Sequence, residues 1–165
     1  MKLTAQLHLR ASPRDKAVLR QTVQRINQAT NWLSRKAFET RQYQASKLRR
    51  IYCRELRERF RVGSNMLLGV CVRVSHEYVK DSRKRIIFKE MGAVQYDKYT
   101  LSISEDEVSL WTIEGRLRVP YEASRADRAL LEYRQGAGYL AGLSNEYYFF
   151  VPCEAEDIPP QFIRK

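Results

Sequence analysis

The chain has 165 residues, of which 44% are hydrophobic, and its 30 Lys and Arg against 19 Asp and Glu give a formal net charge of +11. A chain of this length buries a core as one domain or two small ones, so a disordered basic tail is excluded, and no apolar run of about 18 residues is present to span a membrane. The three cysteines form no C-x-x-C pair, which excludes a zinc ribbon and a disulfide framework and favours a reducing, cytoplasmic compartment.

The first predicted elements are a short strand and a long helix. Residues 3–9 alternate apolar and polar side chains, as in a strand with one buried side. Ser12 is a suitable N-cap and Pro13 suits the first helical position, so we expect a helix over about 13–41. Its apolar stripe follows spacings of three and four: Leu19, Val23, Ile26, Ala29, Leu33 and Ala37.

Two further helices are predicted before residue 82. The second covers about 45–60, and its inward side chains are Leu48, Ile51, Tyr52, Leu56 and Phe60. The third covers about 65–81, and its inward side chains are Leu67, Cys71, Val74 and Tyr78. Cys71 lies within that stripe, which indicates a small buried hydrophobe rather than a reactive thiol.

After the helices the period of the pattern changes to two. A strand is predicted at 86–88, and several short strands follow with turns between them. The pattern then predicts a short helix over 125–133 and a hairpin over 138–151 that turns at Ser144 and Asn145. The first strand needs a sheet, and the only predicted sheet lies after residue 85. The sequence therefore predicts an α+β fold in which a small β-barrel, made of the first strand and about six C-terminal strands, receives an inserted three-helix lobe.

The strongest functional signal is basic charge concentrated in the first half of the chain. Residues 1–85 hold 21 Lys and Arg against 6 Asp and Glu, whereas 86–165 hold 9 against 13. Arginines on several faces of the second helix can bind phosphates in pairs of hydrogen bonds, and each neutralised phosphate releases counterions. We predict nucleic-acid contacts at Lys47, Arg49, Arg50, Arg54 and Arg57 of this helix, at Arg73 of the third helix, and at the basic joint, Arg83, Lys84 and Arg85.

The sequence shows no catalytic, metal or cofactor site. His8 and His76 lack cysteine or carboxylate neighbours at metal-ligand spacing, and we interpret both as surface histidines. The acidic run 105–107 fits a hairpin turn, because nuclease carboxylates come from separate elements that converge on metal ions. Phosphate-loop and nucleophile-elbow motifs are absent.

Several segments resemble the N-terminal half of TnpB-type RNA-guided nucleases, the transposon-associated relatives of type V CRISPR effectors. The resemblance covers nearly the whole chain. It is carried by Ser12-Pro13 after the first strand and by four segments: RINQATNWL at 25–33, MGAVQYD at 91–97, VSLWTIEGR at 108–116 and RALLE at 128–132.

The resemblance implies a wedge-like β-barrel at 1–12 and 84–158, a helical recognition lobe at 13–83 and a tail at 159–165. It also implies binding of guide RNA and target DNA, with the motif flanking the target read near the start of the third helix, around Ser64, Asn65 and Leu68. The family's RuvC-like catalytic domain would follow this region, so we expect no nuclease activity from the chain alone. Two alternatives stay open: a subunit completed by a separate RuvC-like nuclease chain, and a DNA-binding regulator that acts without RNA.

Overall fold

A computed structural model describes residues 1–154 and 156, and its fold is α+β, as predicted. The chain divides into two compact units. The barrel unit comprises 1–20 and the chain from 93 onward, and the helical unit comprises 21–92. The elements of the described residues, in chain order, are β1 (Lys2–Leu9), α1 (Pro13–Thr40), α2 (Ala45–Phe60), α3 (Ser64–Lys80), β2 (Val94–Tyr96), β3 (Leu101–Ile103), β4 (Glu107–Thr112), β5 (Gly115–Glu122), α4 (Arg125–Leu130), a 3₁₀ turn (Leu131–Tyr133), β6 (Gly138–Leu143) and β7 (Glu146–Glu154).

The barrel unit is a nearly closed antiparallel sheet of seven strands in the described part of the chain, in the order β2-β6-β7-β1-β5-β4-β3. The first strand lies in the middle of this order, and its register with β7 runs from Lys2 opposite Glu154 to Leu9 opposite Tyr147. The helical unit therefore enters the chain between the first and second strands of the barrel, as the alternating N-terminal pattern predicted.

The barrel core follows from the period-two pattern of its strands, since alternate side chains point to opposite faces. In β7, Phe149 is fully buried and meets the Tyr96 ring edge-on at 5.5 Å between ring centroids. Tyr96 lies on the edge strand β2, and its hydroxyl donates a hydrogen bond of 2.9 Å to the Trp111 carbonyl of β4. This bond joins two strands far apart in the sheet order, and burial raises the pKa of the Tyr96 hydroxyl.

Helix α1 begins as predicted, because the Ser12 hydroxyl accepts a 3.1 Å hydrogen bond from the Asp15 amide. Within the helical unit its predicted stripe is buried, as is the whole predicted stripe of α3. One prediction for α2 is wrong: Ile51 is 53% exposed rather than inward. Only Leu48 and Leu56 of that helix are fully buried, because neighbouring elements cover a narrower stripe than the sequence pattern offers.

The predicted strand at 86–88 is absent from the structure. Side chains of α1 and α3 bind backbone groups of this segment and of the residues after it, in place of a neighbouring strand. The Asn31 side chain accepts a hydrogen bond from the Phe88 amide and donates one to the Phe88 carbonyl, and Asn27 donates to the carbonyls of Glu90 and Gly92. These contacts place residues 84–92 in the helical unit rather than in the barrel.

Two smaller differences concern the end of the chain. The helix predicted over 125–133 is α4 up to Leu130, followed by the 3₁₀ turn. The predicted tail at 159–165 lies outside the described residues. No helix in the described part of the chain is both long and apolar enough to cross a membrane.

Candidate nucleic-acid interface

Positive charge is concentrated in the helical unit. Residues 21–92 hold 17 Lys and Arg against 6 Asp and Glu, so the excess of this unit alone equals the net charge of +11 for the whole chain. The unit buries its apolar stripes, and most of its cations are left on the surface. A polyanion is the kind of partner that such a surface attracts.

The outer face of α2 carries a basic stripe. Its members follow spacings of three, four and three residues, which place them on one side of the helix and extend about 15 Å along its axis. All four are exposed: Lys47, Arg50, Arg54 and Arg57.

The opposite side of α2 fixes this orientation. Leu48 and Leu56 are fully buried, and Tyr52 and Phe60 meet the Trp32 ring edge-on at 5.7 and 6.2 Å between centroids. Tyr52 and Phe60 are therefore packing residues, as their spacing indicated, rather than aromatic rings on which nucleotide bases stack. Since these anchors hold one side of the helix, the basic stripe is held on the other.

The charges of the basic stripe are not compensated within the described residues. No carboxylate there lies within 4.0 Å of Lys47, Arg50 or Arg54, and the Arg57 Nη2 atom donates to the Cys53 thiol sulfur at 3.3 Å. Arg59, on another side of the helix, pairs with Glu55 at 3.7 Å. The stripe thus presents free cations to an external partner.

Arg49 lies apart from the basic stripe. It is exposed, and its charge acts on Cys71 of α3, which places it along the side of α2 that meets α3. Burial raises the pKa of Cys71 to about 11, and the neighbouring Cys53 adds to this rise. Cys71 is therefore buried, as predicted, and its raised pKa disfavours the thiolate form.

Ser64 and Asn65 occupy the exposed first turn of α3. The preceding α2 is capped by Arg61, whose positive φ of 52° ends the helix, and Ser64 begins α3 three residues later. Leu68, one turn further, is 36% exposed. The positions that the resemblance associates with motif reading therefore lie on an accessible helix start.

Arg73 differs from the other predicted contacts because it is half-buried and bound within its own unit. Its Nη1 atom donates to Asn27 Oδ1 at 2.8 Å, and its guanidinium lies 4.5 Å from the centroid of the Phe88 ring. Burial lowers the pKa of this guanidinium. These contacts give Arg73 a role in holding the 86–92 segment, whatever else it contacts.

The basic joint is only partly available. Arg83 donates to both carboxylate oxygens of Asp81, from Nε at 3.0 Å and from Nη2 at 3.2 Å, and these bonds lower the pKa of Asp81 to about 2. Lys84 and Arg85 are exposed, with no carboxylate of the described residues within 4.0 Å. At neutral pH, Asp81 therefore forms an ion pair with one of the three cations of the joint, which leaves the other two without a carboxylate partner.

Replacing Asp81 with asparagine should strengthen nucleic-acid binding. The change removes a negative charge and releases Arg83, and because exposed ion pairs are weak and easily exchanged we expect a gain of about two- to fivefold. Fluorescence anisotropy with a labelled RNA hairpin measures it. The matched control is E77Q, which removes the Lys80 partner one turn earlier. An equal gain in both variants would assign the effect to bulk charge instead.

The two histidines have different surroundings. His76 is exposed on α3, whereas His8 is half-buried, stacks on Tyr148 at 4.8 Å between ring centroids and lies 3.0 Å from a Glu146 oxygen. Lys16 binds the other Glu146 oxygen at 3.0 Å, and the contacts with His8 and Lys16 lower the pKa of Glu146. No group of three or more metal-ligating side chains is brought together in the described part of the chain.

One cluster on the barrel unit lies outside the residues predicted from the sequence. It is formed by the exposed Tyr99 and Arg116 and the half-buried Trp111, around β3, β4 and β5. The available signal was the pattern of β4, in which Trp111 stands between two buried residues, and the short turn that brings Arg116 of β5 opposite it.

No protein-family model matches this chain, and no curated protein matches it either.

Proposed function

We propose that this chain is a non-catalytic nucleic-acid-binding module of a TnpB-like RNA-guided DNA endonuclease, and that it binds guide RNA and the guide–target heteroduplex. The observation that carries the proposal is the basic stripe of α2, an exposed row of uncompensated cations on a helix anchored by its other side. The insertion of the helical unit between the first and second strands in chain order also agrees with the architecture that the sequence resemblance implies.

The basic stripe suits backbone recognition rather than base reading. Arginine guanidinium groups bind phosphate oxygens through two parallel hydrogen bonds, and the stripe follows a straight line of about 15 Å. Contacts of this kind position a duplex without reading its sequence. In an RNA-guided system the guide supplies sequence by base pairing, so the protein needs to recognise only the duplex form and a short flanking motif.

The experiment that tests this function is purification of the chain from cells that express its genomic neighbourhood, followed by sequencing of the bound RNA. We expect one structured RNA species to be enriched over total RNA. A variant with Arg50, Arg54 and Arg57 replaced should lose that RNA. Enrichment of no RNA, together with tight binding to a specific DNA duplex, would overturn the proposal in favour of a DNA-binding regulator.

A second candidate is a subunit completed by a separate RuvC-like nuclease chain. It is favoured by two apolar side chains that share the outer face of β6, Tyr139 and Leu143, which are 37% and 59% exposed. Co-expression with neighbouring reading frames tests it. A stable complex that is lost in L143K, with RNA binding retained, would support this candidate.

We expect the 165-residue chain alone to leave labelled single- and double-stranded DNA uncut in the presence of Mg²⁺. Asp97 has a structural role in a turn, because its Oδ1 atom accepts hydrogen bonds from the amides of Tyr99 and Thr100. Gel analysis of the end-labelled substrates is the measurement. Cleavage abolished by D97N or D106N, in a variant that still folds, would contradict the proposed non-catalytic role.

A further inference from the structure

Tyr99 is the most exposed aromatic side chain of the described residues, with 64% of its surface accessible. It lies between β2 and β3, outside the barrel core. An aromatic side chain this exposed contributes little to folding, because it removes little apolar surface from water. The contacts around this ring nevertheless hold it in a defined position.

The turn that carries Tyr99 is fixed on both sides. The Asp97 Oδ1 atom accepts hydrogen bonds from the Tyr99 amide at 2.8 Å and from the Thr100 amide at 2.9 Å. The Tyr99 carbonyl accepts a hydrogen bond of 3.0 Å from Arg116 Nη1. The ring is therefore presented by a backbone that is already ordered, which lowers the entropic cost of binding.

Arg116 is held flat on the outer face of the sheet. Its Nε atom donates to the Ser109 hydroxyl at 2.8 Å, in addition to the bond with the Tyr99 carbonyl. Trp111 lies directly opposite Arg116 in the pairing of β4 with β5, between the buried Leu110 and Thr112. Because side chains alternate along a strand, the Trp111 indole is on the same outer face as the Arg116 guanidinium.

This cluster carries positive charge. The Lys98 ammonium lies 5.2 Å from the centroid of the Tyr99 ring. No carboxylate of the described residues lies within 4.0 Å of Lys98 or Arg116, whereas the neighbouring Arg118 is paired with Glu107 at 3.7 Å. An exposed tyrosine ring with the Lys98 ammonium beside it is thus joined, through the Tyr99 carbonyl, to the outer face that carries the Arg116 guanidinium and the Trp111 indole. Neither of the two cations has a carboxylate partner within the described residues.

We propose that Tyr99, Trp111 and Arg116, the stacking patch, bind an unpaired nucleotide of the RNA that the chain holds. Aromatic and guanidinium planes stack on bases of any sequence, and free cations attract the adjacent phosphates. An apolar protein segment would gain little here, because the patch is an open cationic surface. This inference rests on the proposed RNA binding and adds a second, single-stranded contact on the other unit.

The test compares two RNA probes, a blunt hairpin and the same hairpin with a 3′ extension of six uridines. With the wild-type chain we expect the extension to increase affinity about fivefold or more, the value of one stacked base. Y99A should remove this gain and leave blunt-hairpin affinity unchanged. Y99F should retain it, because stacking needs the ring and not the hydroxyl.

Two controls separate stacking from other effects. Y139A removes an exposed tyrosine from β6 of the same unit and should retain the full gain. An extension of abasic residues keeps the phosphates but offers no base to stack, so it should give no gain.

The possible outcomes distinguish this inference from the proposed function. A bound hairpin that gains nothing from the extension, or an equal gain in Y99A and wild type, would overturn the stacking patch and leave the proposed function standing. A single strand of six uridines, used as a third probe, separates the two proposals. If this strand binds and loses affinity in Y99A while the hairpin fails to bind, the patch stands and the proposed duplex contact fails. Absence of binding to every RNA probe would overturn both.

Discussion

Replacing Arg50, Arg54 and Arg57 with alanine should weaken binding to an RNA hairpin and to an RNA–DNA hybrid by about tenfold or more near 0.15 M salt, whatever the sequence. The three guanidinium groups are exposed and lack carboxylate partners within the described residues, so their removal leaves phosphates unneutralised. The slope of log affinity against log salt should fall by about 0.9 for each duplex phosphate that the variant no longer neutralises. A salt titration by anisotropy measures both effects.

A charge-matched variant is the control for this experiment. Arg14, Arg20 and Arg125 are exposed in the barrel unit, and their replacement removes the same total charge. We expect a small decrease in affinity and little change in slope. R49A adds a second comparison on α2 itself, at a position outside the basic stripe. If the two triple variants behave alike, the stripe is not the binding surface, and the basic joint becomes the leading candidate.

Replacing Phe149 with alanine should lower the free energy of unfolding of the barrel unit by about 3–5 kcal/mol. Phe149 is fully buried, meets Tyr96 edge-on and lies close behind Gly138, where an added Cβ would be 3.3 Å from its ring. The alanine leaves a cavity in the middle of the sheet. Urea unfolding followed by tryptophan fluorescence in a W32F background reports on the barrel, because Trp111 is then the remaining tryptophan.

Phe150 provides the matched control because it is the next residue of β7 and points to the other face. It is half-buried, so its replacement with alanine should cost only about 1 kcal/mol. A destabilisation by F150A as large as that by F149A would contradict the assignment of faces in β7. Binding of the blunt RNA hairpin below the urea transition should be the same in both variants.

The local pattern of apolar and polar residues in the sequence determined most of the helices and strands. The N-cap at Ser12 and the apolar stripe from Leu19 to Ala37 fix α1 because a helix is formed by contacts three and four residues apart. The turn at Ser144 and Asn145 fixes the last hairpin in the same way, since both residues adopt the positive φ that the turn requires. The uneven charge likewise led to the prediction of a polyanion-binding surface in the first half of the chain.

The sequence also predicted the insertion, because an isolated strand cannot be stable without a sheet. It could not predict the partners of that strand. β1 pairs with β7 along its whole length and with β5 only at His8 and Leu9, and these pairings join residues more than a hundred positions apart. Pairing of such distant segments depends on the closure of the sheet rather than on any local pattern.

Two expectations are wrong for the same reason: contacts with distant parts of the chain override a local apolar pattern. Ile51 fits the apolar stripe of α2 by spacing, yet it is exposed because neighbouring elements cover only part of that stripe. The apolar run at 86–88 fits a strand, yet Asn27 and Asn31 bind the backbone from Phe88 to Gly92 and keep it out of the sheet.

The two candidate sites differ in the same respect: one is visible in the local sequence pattern and the other depends on tertiary contacts. The arginines of α2 were visible from their spacing, and the structure added which of them form one uncompensated row. Tyr99, Trp111 and Arg116 are far apart in sequence and were not found. Their proximity results from the pairing of β4 with β5 and from the hydrogen bond between Arg116 and the Tyr99 carbonyl. The sequence thus determined the elements and their charge, while tertiary pairing decided which side chains meet, because those contacts form only when distant segments are brought together by a shared core.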